Sequence, residues 1–161
     1  MWQVRVAGEK LFVDFSGEKR SDVNATTGEV VEVELFVAVL GASNDTYAEA
    51  FATPRAADFI AAHVRAFAYF DGVTEMTVPD QLQSGVARSC RYEPGIQRTY
   101  GELARHDGTA IVAARPYKAR DKAKIELGVR VAQRWILARL RNETSLSLGS
   151  LNRQVAELCA E

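Results

Sequence analysis

Residues 10–19 read KLFVDFSGEK, an apolar run with an acid in the middle of it. The apolar residues before Asp14 are typical of a buried strand, and Phe15 resumes the pattern directly after it. Burying an ionised carboxylate costs roughly several kcal/mol unless another group pairs with it. Asp14 therefore needs a partner elsewhere in the chain or a bound ion.

The segments around this stretch predict one mixed sheet. Strands are expected at residues 2–6, 10–16, 30–40 and 47–52, and the short connections favour an antiparallel meander of the last three, which belong to the predicted sheet. The next predicted elements are a helix that begins at Thr53-Pro54 and ends at Asp71-Gly72, and a strand that ends at Pro79-Asp80. After them we expect a helix over 99–106, a strand over 109–113, and helices over 121–141 and 147–160. This order predicts an α/β fold, with five strands in a mixed antiparallel and parallel sheet that helices flank.

Composition indicates a single soluble domain. The chain has 161 residues, of which 47% are hydrophobic and 25% charged, as in ordinary globular proteins. Two isolated cysteines, Cys90 and Cys159, suggest a reducing compartment. The longest apolar run, residues 35–42, is much shorter than the roughly 20 residues that a membrane span needs. We therefore expect a cytoplasmic protein without a membrane segment. His63 and His106 lack a partner pattern, and we expect both to be structural.

The predicted sheet brings a second acid towards the first. Right-handed crossovers would place the strand ending at Asp80 beside and parallel to the strand of Asp14. Two like charges there would repel, so one carboxyl would stay protonated, or a divalent cation such as Mg²⁺ or Mn²⁺ would bind both. Asp80 could instead cap a short helix.

A long helix offers a third carboxylate within a basic segment. Nine of the 20 basic residues lie within residues 115–142, which is typical of a phosphate-binding site or of a solvated helix face. Glu126 lies at the edge of the stripe that should face the sheet, although an ion pair with Arg130 would also explain it. The sheet-facing stripe consists of Ile125, Val129, Ala132, Ile136 and Leu140.

A second apolar face of the same helix consists of Leu127, Val131 and Trp135. We expect it to pack against the last helix, with a contact between protomers as the alternative.

Three segments resemble a known family. They are VDFSG at 13–17, VPDQLQSGV at 78–86 and ARPYKARDKAKIELGVRVAQRWILARLRN at 114–142. Together they resemble the catalytic core of retroviral-integrase-like (DDE) transposases, most closely the IstA type of bacterial insertion sequences. The likeness covers nearly the whole chain, and its third segment is the most specific.

The resemblance implies a ribonuclease-H-like fold with an Asp-Asp-Glu triad, here Asp14, Asp80 and Glu126. It also implies two Mg²⁺ ions, for which Mn²⁺ can substitute, held by these three residues. The implied reactions are cleavage at the 3′ end of a mobile element and transfer of the freed 3′-hydroxyl to target DNA, both in-line displacements at phosphorus. Many relatives have Asn after the second aspartate, and Gln81 stands there in this chain.

The partners implied are DNA, as element ends and target, a second copy of the chain in a homodimer or larger assembly, and an AAA+ ATPase helper of the IstB type. We expect residues 1–161 to form one catalytic domain without the helix-turn-helix and C-terminal domains of the family. The cations expected to contact DNA are Arg115, Lys118, Arg120, Lys122, Lys124, Arg130 and Arg134.

Two other functions fit the same residues. One is a ribonuclease-H-like nuclease that cuts DNA without joining it, and the other is a non-catalytic DNA-binding or dimerisation module. The basic segment at 115–124 favours the transposase.

Overall fold

The computed structural model describes residues 6–15, 20–23, 26–52, 56–79, 95–112, 119–141 and 147–161. For residues 15, 20–23, 56–57, 59, 95–100 and 119–127 it describes the backbone alone. The structural statements below concern these parts of the chain.

Six strands form the sheet in the described parts of the chain. They are β1 (Lys10–Phe15), β2 (Arg20–Val23), β3 (Val30–Leu40), β4 (Thr46–Phe51), β5 (Met76–Pro79) and β6 (Ala110–Ile111). Strands β1 and β4 flank β3 as antiparallel partners, whereas β5 pairs parallel with β1, and β6 pairs parallel with β5. The short strand β2 pairs antiparallel with the beginning of β3.

Among the described residues, four helices flank the sheet. They are α1 (Ala56–Tyr69), α2 (Gly95–Asp107), α3 (Ala119–Leu140) and α4 (Leu148–Cys159). The predicted α/β class and the mixed sheet of five strands are therefore confirmed, and β2 is an additional strand. The predicted strand at 2–6 falls almost entirely outside the described residues. The helix predicted at 99–106 begins four residues earlier, at Gly95.

Strand β3 lies between two hydrophobic clusters, which explains its continuous apolar run. Buried and exposed residues do not alternate at its centre, because every residue from 35 to 39 is buried. On one face, Val37 belongs to a cluster with residues of α3 and α4, including Ile136 and Val155. On the other face, Phe36 packs in a cluster with Ala62 and other residues of α1. The two faces of the sheet are thus covered by different helices.

The two histidines occupy very different surroundings. His63 on α1 is fully buried, with its ring centroid 5.0 Å from that of Phe36. His106 is exposed at the end of α2, and its Nδ1 lies 3.0 Å from Oδ1 of Asp107. The burial of His63 fits the structural role expected for it.

Substitution of Ile136 tests how much the packing of α3 on the sheet contributes to stability. We expect Ile136→Ala to lower the free energy of unfolding by about 2–5 kcal/mol, because it leaves a cavity at a fully buried site. The matched control is Val131→Ala on the same helix, which is 56% exposed and should change stability by no more than about 0.5 kcal/mol. Urea unfolding of both variants measures this, and equal losses would contradict the packing of α3 on the sheet.

A polar cluster joins β4 to α1. Arg65 donates from Nε to Oε2 of Glu49 at 2.8 Å, and its Nη2 lies 2.8 Å from Oε1 of the same carboxylate. The Tyr47 hydroxyl donates to Oε2 of Glu49, also at 2.8 Å. Burial, together with this hydrogen bond to a carboxylate, raises the pKa of Tyr47 well above its ordinary value of 10.0.

This raised pKa predicts a loss of stability in alkaline solution. Above about pH 10 the unfolded chain loses the phenolic proton while the native chain keeps it, so the free energy of unfolding falls as pH rises. Above about pH 10, we expect the free energy of unfolding of Tyr47→Phe to decrease less steeply with pH than that of the wild type. Between about pH 7 and 9, the two free energies should change in parallel. Urea unfolding over this pH series measures the slopes, and identical slopes above about pH 10 would refute the assignment.

Candidate active site

Asp14 lies on the sheet face that α3 covers. In the antiparallel register of β1 and β3, it is opposite Val37. Side chains alternate along a strand, and Val13 belongs to the cluster beneath α1, whereas Phe12 packs against the cluster beneath α3 and α4. The half-buried Asp14 therefore shares the face of Phe12. Its carboxylate is held by a strand with neighbours on both sides.

The structure contains the parallel neighbour that was predicted for β1, the strand of Asp14. Strand β5 runs beside β1 with Pro79 opposite Val13. Asp80 follows Pro79 directly in the sequence, but it lies outside the described residues. The structure thus confirms the pairing of the two strands on which the prediction for Asp80 depended, and leaves the position of its carboxylate as a prediction.

Helix α3 crosses the strand that carries Asp14. It contacts both β3 and β1. Its sheet-facing stripe is confirmed where side chains are described, because Val129, Ile136 and Leu140 are buried and Ala132 packs against them. Glu126 lies one turn before Val129 in the same helix, and only its backbone is described. The helix of the third predicted ligand therefore lies over the face of the sheet to which Asp14 belongs.

Cations follow Glu126 along α3. Arg130 and Arg134 lie four and eight positions after it, and both are exposed. At about 100° per residue, Arg141 at the end of the helix continues this row. Among the other cations predicted to contact DNA, only the backbone is described for Arg120, Lys122 and Lys124, and Arg115 and Lys118 lie outside the described residues.

The second apolar face of α3 corrects one expectation. Val131 is 56% exposed and Trp135 is 37% exposed, so the predicted packing of these two residues against the last helix is wrong. The reason is that α4 directs Leu151 and Val155 into the cluster beneath the sheet, beside β4. The contact observed for Trp135 is with the Arg139 guanidinium, 5.9 Å from the ring centroid.

Within the described ranges, no group of three or more His, Cys, Asp or Glu side chains is placed to hold a metal ion. Of the three predicted ligands, only Asp14 has a described side chain. In the same ranges, no helix combines the length and the apolar character that crossing a membrane requires.

Known proteins that resemble this chain carry the names of transposases. A protein of Burkholderia multivorans named "Putative transposase for insertion sequence IS408" is 46% identical over 161 residues, which is 100% of this chain and 31% of that protein. One of Pseudomonas fluorescens, named for insertion sequence IS1162, is 46% identical over 98% of this chain and 28% of its own length. One of Sinorhizobium fredii, "Putative transposase y4uI", is 44% identical over 98% of this chain and 31% of its own length. No family model matches the sequence.

This chain is similar over nearly its whole length to proteins named as insertion-sequence transposases. It spans about a third of the length of the curated transposases that it matches. The resemblance drawn from the three sequence segments is therefore confirmed at the level of the family.

A solved structure shares the fold of this chain. A chain in the structure of the simian T-cell lymphotropic virus intasome in complex with PP2A regulatory subunit B56 gamma superposes with a TM-score of 0.58 at 12% identity. The superposition covers 96% of this transposase-like chain and 49% of the viral one. The ribonuclease-H-like fold class is thereby confirmed.

Proposed function

We propose that this chain is the metal-dependent catalytic core of a DNA transposase, which cleaves the 3′ ends of a mobile element and transfers them to target DNA. The observation that carries the proposal is the placement of Asp14 on β1, beside the strand that leads into Asp80 and under the helix that contains Glu126. The relationship to insertion-sequence transposases supports the same activity.

The three predicted ligands fit magnesium in their chemistry. All are carboxylates, the oxygen donors that Mg²⁺ and Mn²⁺ favour. Asp14 is half-buried on the face of an apolar strand, where a second anion would be unfavourable without a cation. In this proposal Asp14, Asp80 and Glu126 would hold a pair of ions, as in other two-metal phosphoryl transfer sites. The bound metal would activate the attacking oxygen and stabilise the leaving oxygen.

The protein's own contribution is then to position DNA. The row formed by Arg130, Arg134 and Arg141 begins one turn beyond Glu126 and faces solvent. Guanidinium groups form paired hydrogen bonds with phosphate, so this row suits a DNA backbone that leads into the site. Water attacks a phosphorus atom at the element end and releases its 3′-hydroxyl, which then attacks target DNA and displaces a target 3′ oxygen.

The larger assembly is part of the proposal as well. Joining two element ends calls for at least two copies of the core, and the family resemblance adds a helper ATPase of the IstB type. Residues 1–161 would act as one catalytic domain within this assembly.

Asp14→Asn tests the catalytic assignment. In a reaction with Mg²⁺ and DNA that carries the element ends, the variant should cleave and join DNA only at the level seen without protein, because it loses a metal ligand. Its affinity for DNA should be unchanged or higher, since a negative charge is removed. Asp45→Asn is the matched control, because Asp45 is an exposed aspartate in the turn before β4. The measurements are product formation on gels and DNA binding by fluorescence anisotropy.

Other outcomes identify the alternatives. Cleavage without joining by the wild type would favour the nuclease. DNA binding by wild type and variant, with no reaction by either inside a complete transposase, would favour the non-catalytic module. Full activity of Asp14→Asn would remove Asp14 from the site. A crystal soaked in Mn²⁺ should show an anomalous peak at the Asp14 carboxylate, and an ordered site without a peak at high Mn²⁺ would exclude Asp14 as a ligand.

Arg134→Ala tests the DNA-binding row. Loss of one phosphate contact should weaken binding for all sequences and reduce the slope of log K against log salt by about 0.9. Arg153→Ala on α4 is the matched control, because Arg153 is exposed on a different helix. Binding measured over a salt series gives both slopes, and an unchanged slope for Arg134→Ala would show that this arginine does not contact phosphate.

A further inference from the structure

Strand β4 has a free edge in the described sheet. It pairs with β3 and with no other described strand. In an antiparallel pair, every second residue directs its backbone N–H and C=O away from the partner strand. Exposed edges of this kind invite pairing with another chain. The outward-facing groups of β4 therefore need partners of some other kind.

Asn152 supplies such partners for Ala50. Its Oδ1 accepts a hydrogen bond from the Ala50 N–H at 2.6 Å, and its Nδ2 donates to the Ala50 C=O at 3.0 Å. Both backbone groups of Ala50 are thus directed away from its β3 neighbour, Leu35. A side-chain amide presents one donor and one acceptor side by side, as a peptide group of a neighbouring strand would.

The other end of α4 lies beside β4 two positions from Ala50. There burial raises the pKa of the Cys159 thiol, and the nearby Ala48 backbone N–H partly offsets this rise. The Tyr69 hydroxyl donates to the Cys159 carbonyl at 3.0 Å, which joins the end of α4 to α1. Beside these two contacts, Leu151 and Val155 of α4 are buried in one cluster with Ala48 and Ala50. Packing and polar contacts therefore hold α4 along the same edge.

We propose that α4 seals the free edge of β4 and so prevents strand pairing between copies of this chain through that edge. Asn152 is the key residue, because it occupies both hydrogen-bonding groups of Ala50. In any assembly of this core, the copies would then meet through surfaces other than β4.

Asn152→Leu tests the seal, because leucine is similar in volume but cannot form either hydrogen bond. We expect hydrogen exchange at the Ala50 amide to accelerate about tenfold, as for the loss of one hydrogen bond, while exchange at Val37 changes little. Sedimentation should show self-association of the variant. At high protein concentration the Ala50 amide should become protected again, since a strand of another copy would pair with it.

The matched control is Arg153→Leu, which adds a leucine at an exposed position of the same helix and keeps Asn152 in place. It should remain as monodisperse as the wild type. Three results would overturn the proposal: rapid exchange of the Ala50 amide in the wild type, an Asn152→Leu variant that does not associate, or equal acceleration at Ala50 and Val37. The last would mean that Asn152 stabilises the whole fold rather than the edge.

Discussion

The parallel pairing of β1 with β5 is the contact on which the rest of the structure depends. Antiparallel neighbours such as β3 and β4 follow from tight turns, but a parallel neighbour needs a crossover. Here α1 lies between β4 and β5 in the sequence and covers one face of the sheet. The opposite face is then available to α3 and α4. Asp14 belongs to this second face. The pairing of β1 with β5 therefore determines both the strand beside Asp14, which is β5, and the helix over it, which is α3.

Much of this arrangement could be predicted from the sequence, because strong patterns determine it. The apolar run of β3 requires burial on both faces, and the spacing of Val129, Ile136 and Leu140 requires a helix with one face on the sheet. Asp14 is recognisable as a candidate site residue because an acid in an apolar strand is costly. In each case the pattern is set by local periodicity and by a large free energy of burial.

Other features could not be predicted because they depend on which elements meet. The four residues of β2 have a mixed polar sequence that becomes a strand only beside the long β3. Val131 and Trp135 form an apolar face at helical spacing, but periodicity does not reveal whether a neighbour covers it. Asn152 looks like an ordinary surface residue of α4, and its contact with Ala50 joins positions far apart in the sequence. The carboxylates of Asp80 and Glu126 remain predicted members of the site.

The order of strands also has a consequence for how the chain folds. The antiparallel neighbours β3 and β4 are adjacent in sequence, and β1 precedes them closely, so their contacts form across short loops. Helix α3 reaches β1 only after most of the chain has been traversed, and closing so long a loop is slow. We therefore expect the meander to form first and α3 to cover Asp14 late. In that order the acid keeps its hydration through most of folding and becomes half-buried only near the end.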